Sequence, residues 1–268
     1  MPLKGGLGFE SRRMQKLLLG DSPTTSKIED GHHVYCTWQL NFGFGYVSSL
    51  DDYKIVAIAL IKENLNTEIV IYVYSLRSKE WTTKRKVYGD WFCFQSYDYP
   101  YLSLGALVEE NLHWNISEGD HKCIGWFDLA KDEFKIMRLP NFELGDQINN
   151  VQYGFALYSI NECLCTWRQY WNGRVEVWMM REYGKWGSWT KMFDRNLSDD
   201  LYHCCKLVGL QDSGKILIMT RHTNLVLADM NCDPPIFVRL GPIGSARFVG
   251  GVSHVHSLIS PLALYGEQ

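Results

Sequence analysis

The sequence predicts an all-β fold, a β-propeller built from four-stranded antiparallel blades. Two observations carry that prediction. First, an apolar strand followed several residues later by a lone large aromatic occurs four times. The segments are Val70–Leu76 before Trp81, Cys123–Leu129 before Phe134, Val175–Met180 before Trp189, and Leu225–Met230 before Phe237. The anchoring aromatics recur at intervals of roughly 50 residues, close to the length of a propeller blade. Second, no stretch sustains the periodicity of an amphipathic helix, whereas short apolar runs bounded by Asn, Asp, Ser and Gly recur throughout. A propeller is usually a rigid display platform, so the first expectation is binding rather than chemistry.

Taken in order, residues 1–32 read as an irregular lead-in. They hold glycines, a basic and apolar stretch from Ser11 to Leu19, and a polar linker, Asp21 to Ser26. Leu17-Leu18-Leu19 before Gly20 is long enough for one or two helical turns, which are marginal in isolation. The propeller is expected over 33–262, with 263–268 as a tail. Its first unit contains a weakly alternating segment to Leu40, then Phe42 to Tyr46, then Tyr53 to Ile61. After an Asn-rich turn it returns over Glu68 to Leu76, and Trp81 sits in an outer strand. The second unit enters at Leu104 to Val108, turns at Glu109-Glu110-Asn111 and returns over Leu112 to Ile116. Lys122 to Leu129 and Phe134 to Leu139 complete it. The third uses Tyr153 to Tyr158, Cys163 to Trp167, Val175 to Met180 and Ser188 to Phe193. The fourth uses Cys205 to Leu210, Lys215 to Thr220, Leu225 to Met230 and Ile236 to Leu240. After a Gly-rich stretch, one apolar strand, His254 to Ile259, is left over, as a propeller needs to complete an incomplete blade.

Composition narrows the function class. A hydrophobic content of 46% and an aromatic content of 14% suit a packed β fold, and 21% charged residues argue against disorder. The net charge of −3 offers no electrostatic case for nucleic acid. The basic run Lys79, Lys84, Arg85 and Lys86 around Trp81 reads as a solvated strand and loop. No apolar leader and no run long enough for a membrane helix are visible, which predicts a cytoplasmic or nuclear protein. The eight cysteines are then expected as reduced thiols, and the sequons at Asn115 and Asn196 carry no meaning.

The ordered set of short motifs resembles the plant F-box-associated domain, the kelch-related, β-rich substrate-binding half of plant F-box proteins. The motifs are Gly43-Phe44-Gly45-Tyr46 with Asp51-Asp52-Tyr53-Lys54-Ile55-Val56, then Val73 to Trp81, Leu112-His113-Trp114, and Phe127-Asp128-Leu129 with Phe134 and Leu139-Pro140. Val175 to Gly184, Ser188-Trp189-Thr190-Lys191 and Ser257 to Pro261 follow. The resemblance implies a kelch-like propeller that is a protein-interaction module of an SCF-type E3 ubiquitin ligase, with an unidentified target protein as partner and no enzymatic activity of its own. Two departures stand out. Nothing in residues 1–40 resembles the F-box that docks on the Skp-type adaptor, and an early strand with an Asn-Pro-Ser/Thr-Arg turn is missing, so the propeller is expected to be incomplete at the N-terminus. Contact with adaptor and cullin is expected only if an F-box is present or residues 1–40 replace it. A stand-alone or decoy binding module stays open as the alternative, and a carbohydrate-binding or enzymatic propeller as a third.

No residue set favours catalysis, a cofactor or a metal. Gly43-Phe44-Gly45 lacks the third glycine and following helix of a nucleotide loop, and its glycines read as close packing against a neighbouring blade. Asp51-Asp52 reads as a hydrogen-bonded turn, and Glu109-Glu110 and Asp199-Asp200 as solvated turns. Cys163 with Cys165, and His254 with His256, each share one strand face but lack the further ligands of a zinc site. Cys204 and Cys205 point to opposite faces. Trp81, Trp126, Trp178 and Trp189 read as interblade packing. The candidate protein-binding residues are the cluster Trp167, Arg168, Tyr170 and Trp171 beside Asn172-Gly173, and the aromatic loop 88–101 with Trp91, Tyr97 and Tyr99. Tyr, Trp and Arg dominate binding hot spots, and aromatics crowded at a loop tip gain little from folding.

Overall fold

The computed structural model describes residues 26–29, 32–35, 38–63, 66–89, 92–94, 102–118, 121–138, 151–170, 172–197, 206–210, 214–219, 224–232 and 235–242. All the regular structure there is β, apart from one 3₁₀ turn at Trp186–Ser188. The sequence expectations that fall on the leader stretch 1–25, on Cys36, Trp91, Tyr97, Tyr99, Trp171, Asp199, Asp200, Cys204 and Cys205, and on the closing strand with His254 and His256, lie outside the described residues. The described residues divide into two compact units, the first within 1–171 and 176–192, the second within 172–175 and 193–268.

A short hairpin of β1 (Ser26–Glu29) and β2 (His32–Tyr35) precedes the main sheets. Sheet 1 is a meander of β3 (Trp38–Val47), β4 (Asp52–Glu63), β5 (Asn66–Ser75) and β6 (Glu80–Gly89). Sheet 2 is built on β9 (Ala106–Val108), β10 (Asn111–Glu118), β11 (His121–Asp128) and β12 (Glu133–Arg138). A short β7 (Phe92–Phe94), inside the segment expected as a loop, also pairs with β10. Sheet 3 runs β13 (Val151–Ile160), β14 (Cys163–Tyr170), β15 (Arg174–Met180) and β16 (Trp189–Asn196). Sheet 4 runs β17 (Lys206–Leu210), β18 (Lys215–Met219), β19 (Asn224–Asp229) and β20 (Ile236–Pro242). These are the four predicted meanders in the predicted order. Their hairpins carry the backbone that tight turns demand: Glu109 and Glu110 sit at φ 46° and 61°, and Asn161 and Glu162 at 50° and 61°.

One predicted strand is divided. The segment entering the second unit breaks at Gly105, so that β8 (Leu102–Leu104) joins sheet 1 parallel to β3 while β9 joins sheet 2. Gly105 donates its N–H to the Phe42 carbonyl at 2.7 Å, and a Cβ there would stand 2.7 Å from the Trp114 ring. Only a residue without a side chain lets the strand switch sheets over that indole.

Burial follows the period of two. Leu112, Trp114, Ile116, Cys123, Phe127 and Phe134 from sheet 2 join Val47, Val56, Ile58, Ile69, Ile71 and Val73 from sheet 1 in one core cluster. The alternate residues of sheet 2, Ala106, Val108 and Ile124, pack with Leu164, Met180 and Trp189 in another. Sheet 2 is thus apolar on both faces. Gly43 and Gly45 make the first contact close: a Cβ on Gly43 would lie 2.4 Å from Leu112 Cδ1, and one on Gly45 2.5 Å from Leu129 Cδ1. This is the packing role read from the sequence.

Lysines fasten sheet 1 to sheet 2. Lys54 Nζ donates to the Leu129 carbonyl and to Asp132 Oδ1, both at 2.7 Å, with its side chain only 7% exposed. Lys84 Nζ reaches the Asp132 carbonyl at 2.5 Å and Lys86 Nζ the Phe134 carbonyl at 3.1 Å. The basic run therefore does more than solvate an edge strand. From the other side, Glu110 accepts the Ser48 N–H at 2.7 Å, which holds its carboxyl below the usual range.

In the second unit, Arg174 grips Asp194 through Nε and Nη2 at 2.6 and 2.7 Å. Ile236, Val238 and Leu240, at alternate positions of β20, are each about half exposed.

Candidate interaction surface

The face of sheet 1 turned away from sheet 2 is aromatic. Register places Tyr46 opposite Tyr53, Phe44 opposite Ile55, Ile55 opposite Tyr74, and Tyr74 opposite Trp81, so these side chains share one side. Phe44 and Tyr53 stack at 5.4 Å with planes 6° apart, Tyr46 and Tyr53 meet at 4.9 Å, and Tyr74 and Trp81 at 4.9 Å. Yet Phe44 is 52% exposed, Tyr53 43%, Tyr46 39% and Trp81 37%. The Tyr46 hydroxyl donates to Asp51 Oδ1 at 2.8 Å, which raises its pKa above the ordinary tyrosine value. Asp52 anchors the adjoining turn, accepting from Ser75 Oγ at 2.6 Å and the Arg77 N–H at 2.8 Å. The aspartate pair is thus engaged as a turn, as expected. Four large aromatics left partly in water on one sheet face form the kind of patch that marks a contact surface.

Sequence reasoning missed this patch. It assigned Trp81 to interblade packing, but Trp81 lies beside Tyr74 on the open face. Its signal was present in the parity of Phe42, Phe44 and Tyr46, and of Tyr72 and Tyr74, which puts aromatics on the face opposite the glycines. Of the other repeat tryptophans, Trp189 is buried in the core shared by sheets 2 and 3, with Trp178 packed against it. Trp126 lies under the Lys135 ammonium at 5.0 Å.

The residues expected at a loop tip are placed differently. Trp167, Arg168 and Tyr170 belong to β14, where every residue from Leu164 to Tyr170 is buried. Their side chains therefore do not present themselves to solvent. Arg168 and Tyr170 belong to a charge network inside the sheet. Glu176 Oε2 accepts from Tyr170 Oη at 2.9 Å and Trp178 Nε1 at 3.2 Å and faces Arg168 Nη1 at 3.7 Å, while Oε1 takes Lys191 Nζ at 3.2 Å. Lys191 also lies 5.2 Å above the Trp178 ring. These donors hold the Glu176 carboxyl below the usual range although burial opposes it, and burial lowers the Arg168 guanidinium. A buried charge is tolerated only with such partners.

A second buried polar pair joins sheets 2 and 3. His113 Nδ1 lies 3.0 Å from the Ala106 carbonyl, and its Nε2 2.9 Å from the Tyr183 hydroxyl. A neutral ring that donates from Nδ1 and accepts at Nε2 satisfies both contacts. Burial pushes the His113 pKa down to about 4 and the Tyr183 pKa well up.

Among the described residues no group of three or more His, Cys, Asp or Glu is placed to hold a metal ion. Cys123, Cys163, Cys165 and Cys232 are free thiols, and burial pushes Cys165 up to about 12, far from a reactive thiolate. No described helix is long and apolar enough to cross a membrane.

Comparison with known proteins agrees with the sheet pattern. The F-box associated beta propeller domain family matches residues 24–250. F-box protein CPR1 of Arabidopsis thaliana is 30% identical over 208 residues, covering 70% of this chain and 49% of that protein. An F-box/kelch-repeat protein of the same plant is 26% identical over 154 residues, covering 57% of this chain and 39% of its own length. The chain spans about half the length, or less, of these curated relatives.

Proposed function

The chain belongs to the F-box associated beta propeller family, and from that premise we propose that it is the target-binding part of an SCF-type E3 ubiquitin ligase. Its task is positioning: it holds a target protein, it meets the Skp-type adaptor and cullin only if an F-box is present or residues 1–40 replace it, and other subunits carry out ubiquitin transfer. The observation that carries the reading is the family match over residues 24–250, on a frame of fastened antiparallel sheets. The domain performs no bond chemistry and works in cytoplasm or nucleus. Trp171, Trp91, Tyr97 and Tyr99 are proposed target contacts. Trp167, Arg168 and Tyr170, buried in β14, serve that surface by holding the strand from which the following loop departs.

The test is affinity recovery from plant extract with tagged residues 1–268, probed for the adaptor and for cullin, followed by rebinding of each recovered protein to the purified chain. Direct rebinding of a discrete protein supports the interaction module, and co-recovery of adaptor and cullin supports the ligase role. Direct rebinding without either ligase subunit makes the chain a stand-alone or decoy binder and overturns the ligase reading. A chain that rebinds nothing overturns both.

A further inference from the structure

β6 ends sheet 1 on one side, and among the described residues no strand pairs with its outer edge. It runs ten residues, against six, eight and seven for β12, β16 and β20, the strands that end the other sheets. Its register with β5 is unbroken, from Asn66 opposite Gly89 to Ser75 opposite Glu80, and every residue from Glu80 to Val87 is exposed. Sheet edges are normally blunted by a bulge, a proline or charged side chains standing along the strand. β6 has neither bulge nor proline. Its charges are drawn aside: Lys84 and Lys86 reach the carbonyls of sheet 2, and Arg85 lies against Glu68 of β5. A long row of backbone donors and acceptors is left open. Charge says what fits there. Residues 79–88 hold four cations and one carboxylate, in a chain of net charge −3. The carbonyls that take Lys84 and Lys86 bring no counter-charge. The carboxylates of the adjoining β11–β12 hairpin hold other lysines: Asp128 with Lys131, Asp132 with Lys54, and Glu133 with Lys135.

We infer that β6 is a docking edge for an acidic, extended segment of the target protein, which pairs antiparallel with it as a further strand. The inference rests on the interaction-module reading and names how the target is held. Main-chain bonds supply the grip, and alternate side chains supply the choice. Thr82, Lys84 and Lys86 share one side of the strand, and Trp81, Thr83, Arg85 and Val87 the other. Val87 is 66% exposed and Trp81 37%, so both offer apolar surface to a neighbour. The matching segment carries Asp or Glu opposite Lys84 and Lys86, and apolar residues opposite Trp81 and Val87. A second copy of β6 does not match, because antiparallel pairing about Arg85 sets Lys84 against Lys86.

The test is a fluorescence-anisotropy titration of the full chain against a labelled peptide, Val-Glu-Thr-Glu-Thr-Thr-Phe, whose glutamates fall opposite Lys86 and Lys84. Two further peptides carry N-methyl groups, one at the odd and one at the even positions, so that only one set blocks the N–H groups facing β6. The expected result is saturable binding in which one methylated peptide loses about tenfold or more in affinity and the other keeps it. The chain with Lys84→Glu and Lys86→Glu should bind the acidic peptide about tenfold more weakly and prefer a peptide with lysines in place of both glutamates. Equal affinity for the two methylated peptides overturns the inference, because attraction between charges alone ignores the backbone. That comparison uses the wild-type chain, so it does not depend on the folding of a variant. Absence of binding, or a charge-reversed chain that still prefers the acidic peptide, overturns it too. Should the titration fail while recovered proteins still rebind, the docking edge is refuted and the interaction module stands.

Discussion

His113 lets the interface between sheets 2 and 3 be weighed through pH. Its ring is buried, and its pKa falls from 6.5 to about 4. Between those values the unfolded chain takes up a proton that the folded chain refuses. Stability from this group is therefore full above pH 6.5 and is lost as pH falls toward 4. At 1.36 kcal/mol per unit the loss amounts to about 2 kcal/mol at pH 5 and about 3 kcal/mol near pH 4. The perturbation is His113→Gln, which keeps a polar side chain beside Tyr183 but cannot titrate. Urea unfolding of both proteins at pH 7.5, 6, 5 and 4.5 gives the difference in stability at each pH, in which the carboxylates common to both cancel. The wild-type advantage should shrink by about 2 kcal/mol between pH 7.5 and 5. A difference that stays flat across this range would refute the reasoning, since it would mean that His113 takes its proton in the folded state as readily as in the unfolded one.

Three further outcomes follow from the packing. Gly43→Val should cost about 3 kcal/mol by chemical denaturation, because its first carbon lands on Leu112; Gly187→Ala, with nothing within 4 Å, should stay within about 0.5 kcal/mol. Lys54→Met should lose about 1–2 kcal/mol, since it strands the Leu129 carbonyl and Asp132. Lys131→Met, at a pair whose lysine is 67% exposed, should lose less than about 0.5 kcal/mol. In iodoacetamide mapping by mass spectrometry at pH 8, Cys163 should be alkylated and Cys165 spared until the protein unfolds, because burial keeps Cys165 protonated.

The four meanders were legible because their signals are local. Asn, Asp, Glu and Gly mark the turns, and strands such as Tyr53–Ile61 are too apolar and too short to be anything else. The glycines of β3 were legible too, since a strand glycine announces close approach. What escaped depends on partners distant in sequence. Arg168 looks like a surface residue until Glu176 is placed beside it, and Leu164 to Tyr170 shows no alternation because both faces of β14 are covered. Lys84 and Lys86 look solvated until the carbonyls of sheet 2 come within reach. The division at Gly105 hinges on one indole nine residues downstream. The open aromatic face was missed for the opposite reason: aromatics in strands read as core, and nothing in a single strand says which face goes uncovered.

The lysine fastenings have an evolutionary consequence. Leu129, Asp132 and Phe134 each receive a lysine at the carbonyl oxygen, a group every amino acid carries. Those bonds make no demand of their own on side-chain identity: the exposed Ala130 and Lys131 can change without unhooking them, while core packing fixes Leu129 and Phe134, and Asp132 adds a side-chain grip through Oδ1. A scaffold latched through its main chain separates what must stay from what can vary. That separation suits a platform whose surface must be rewritten for each new target while its frame persists.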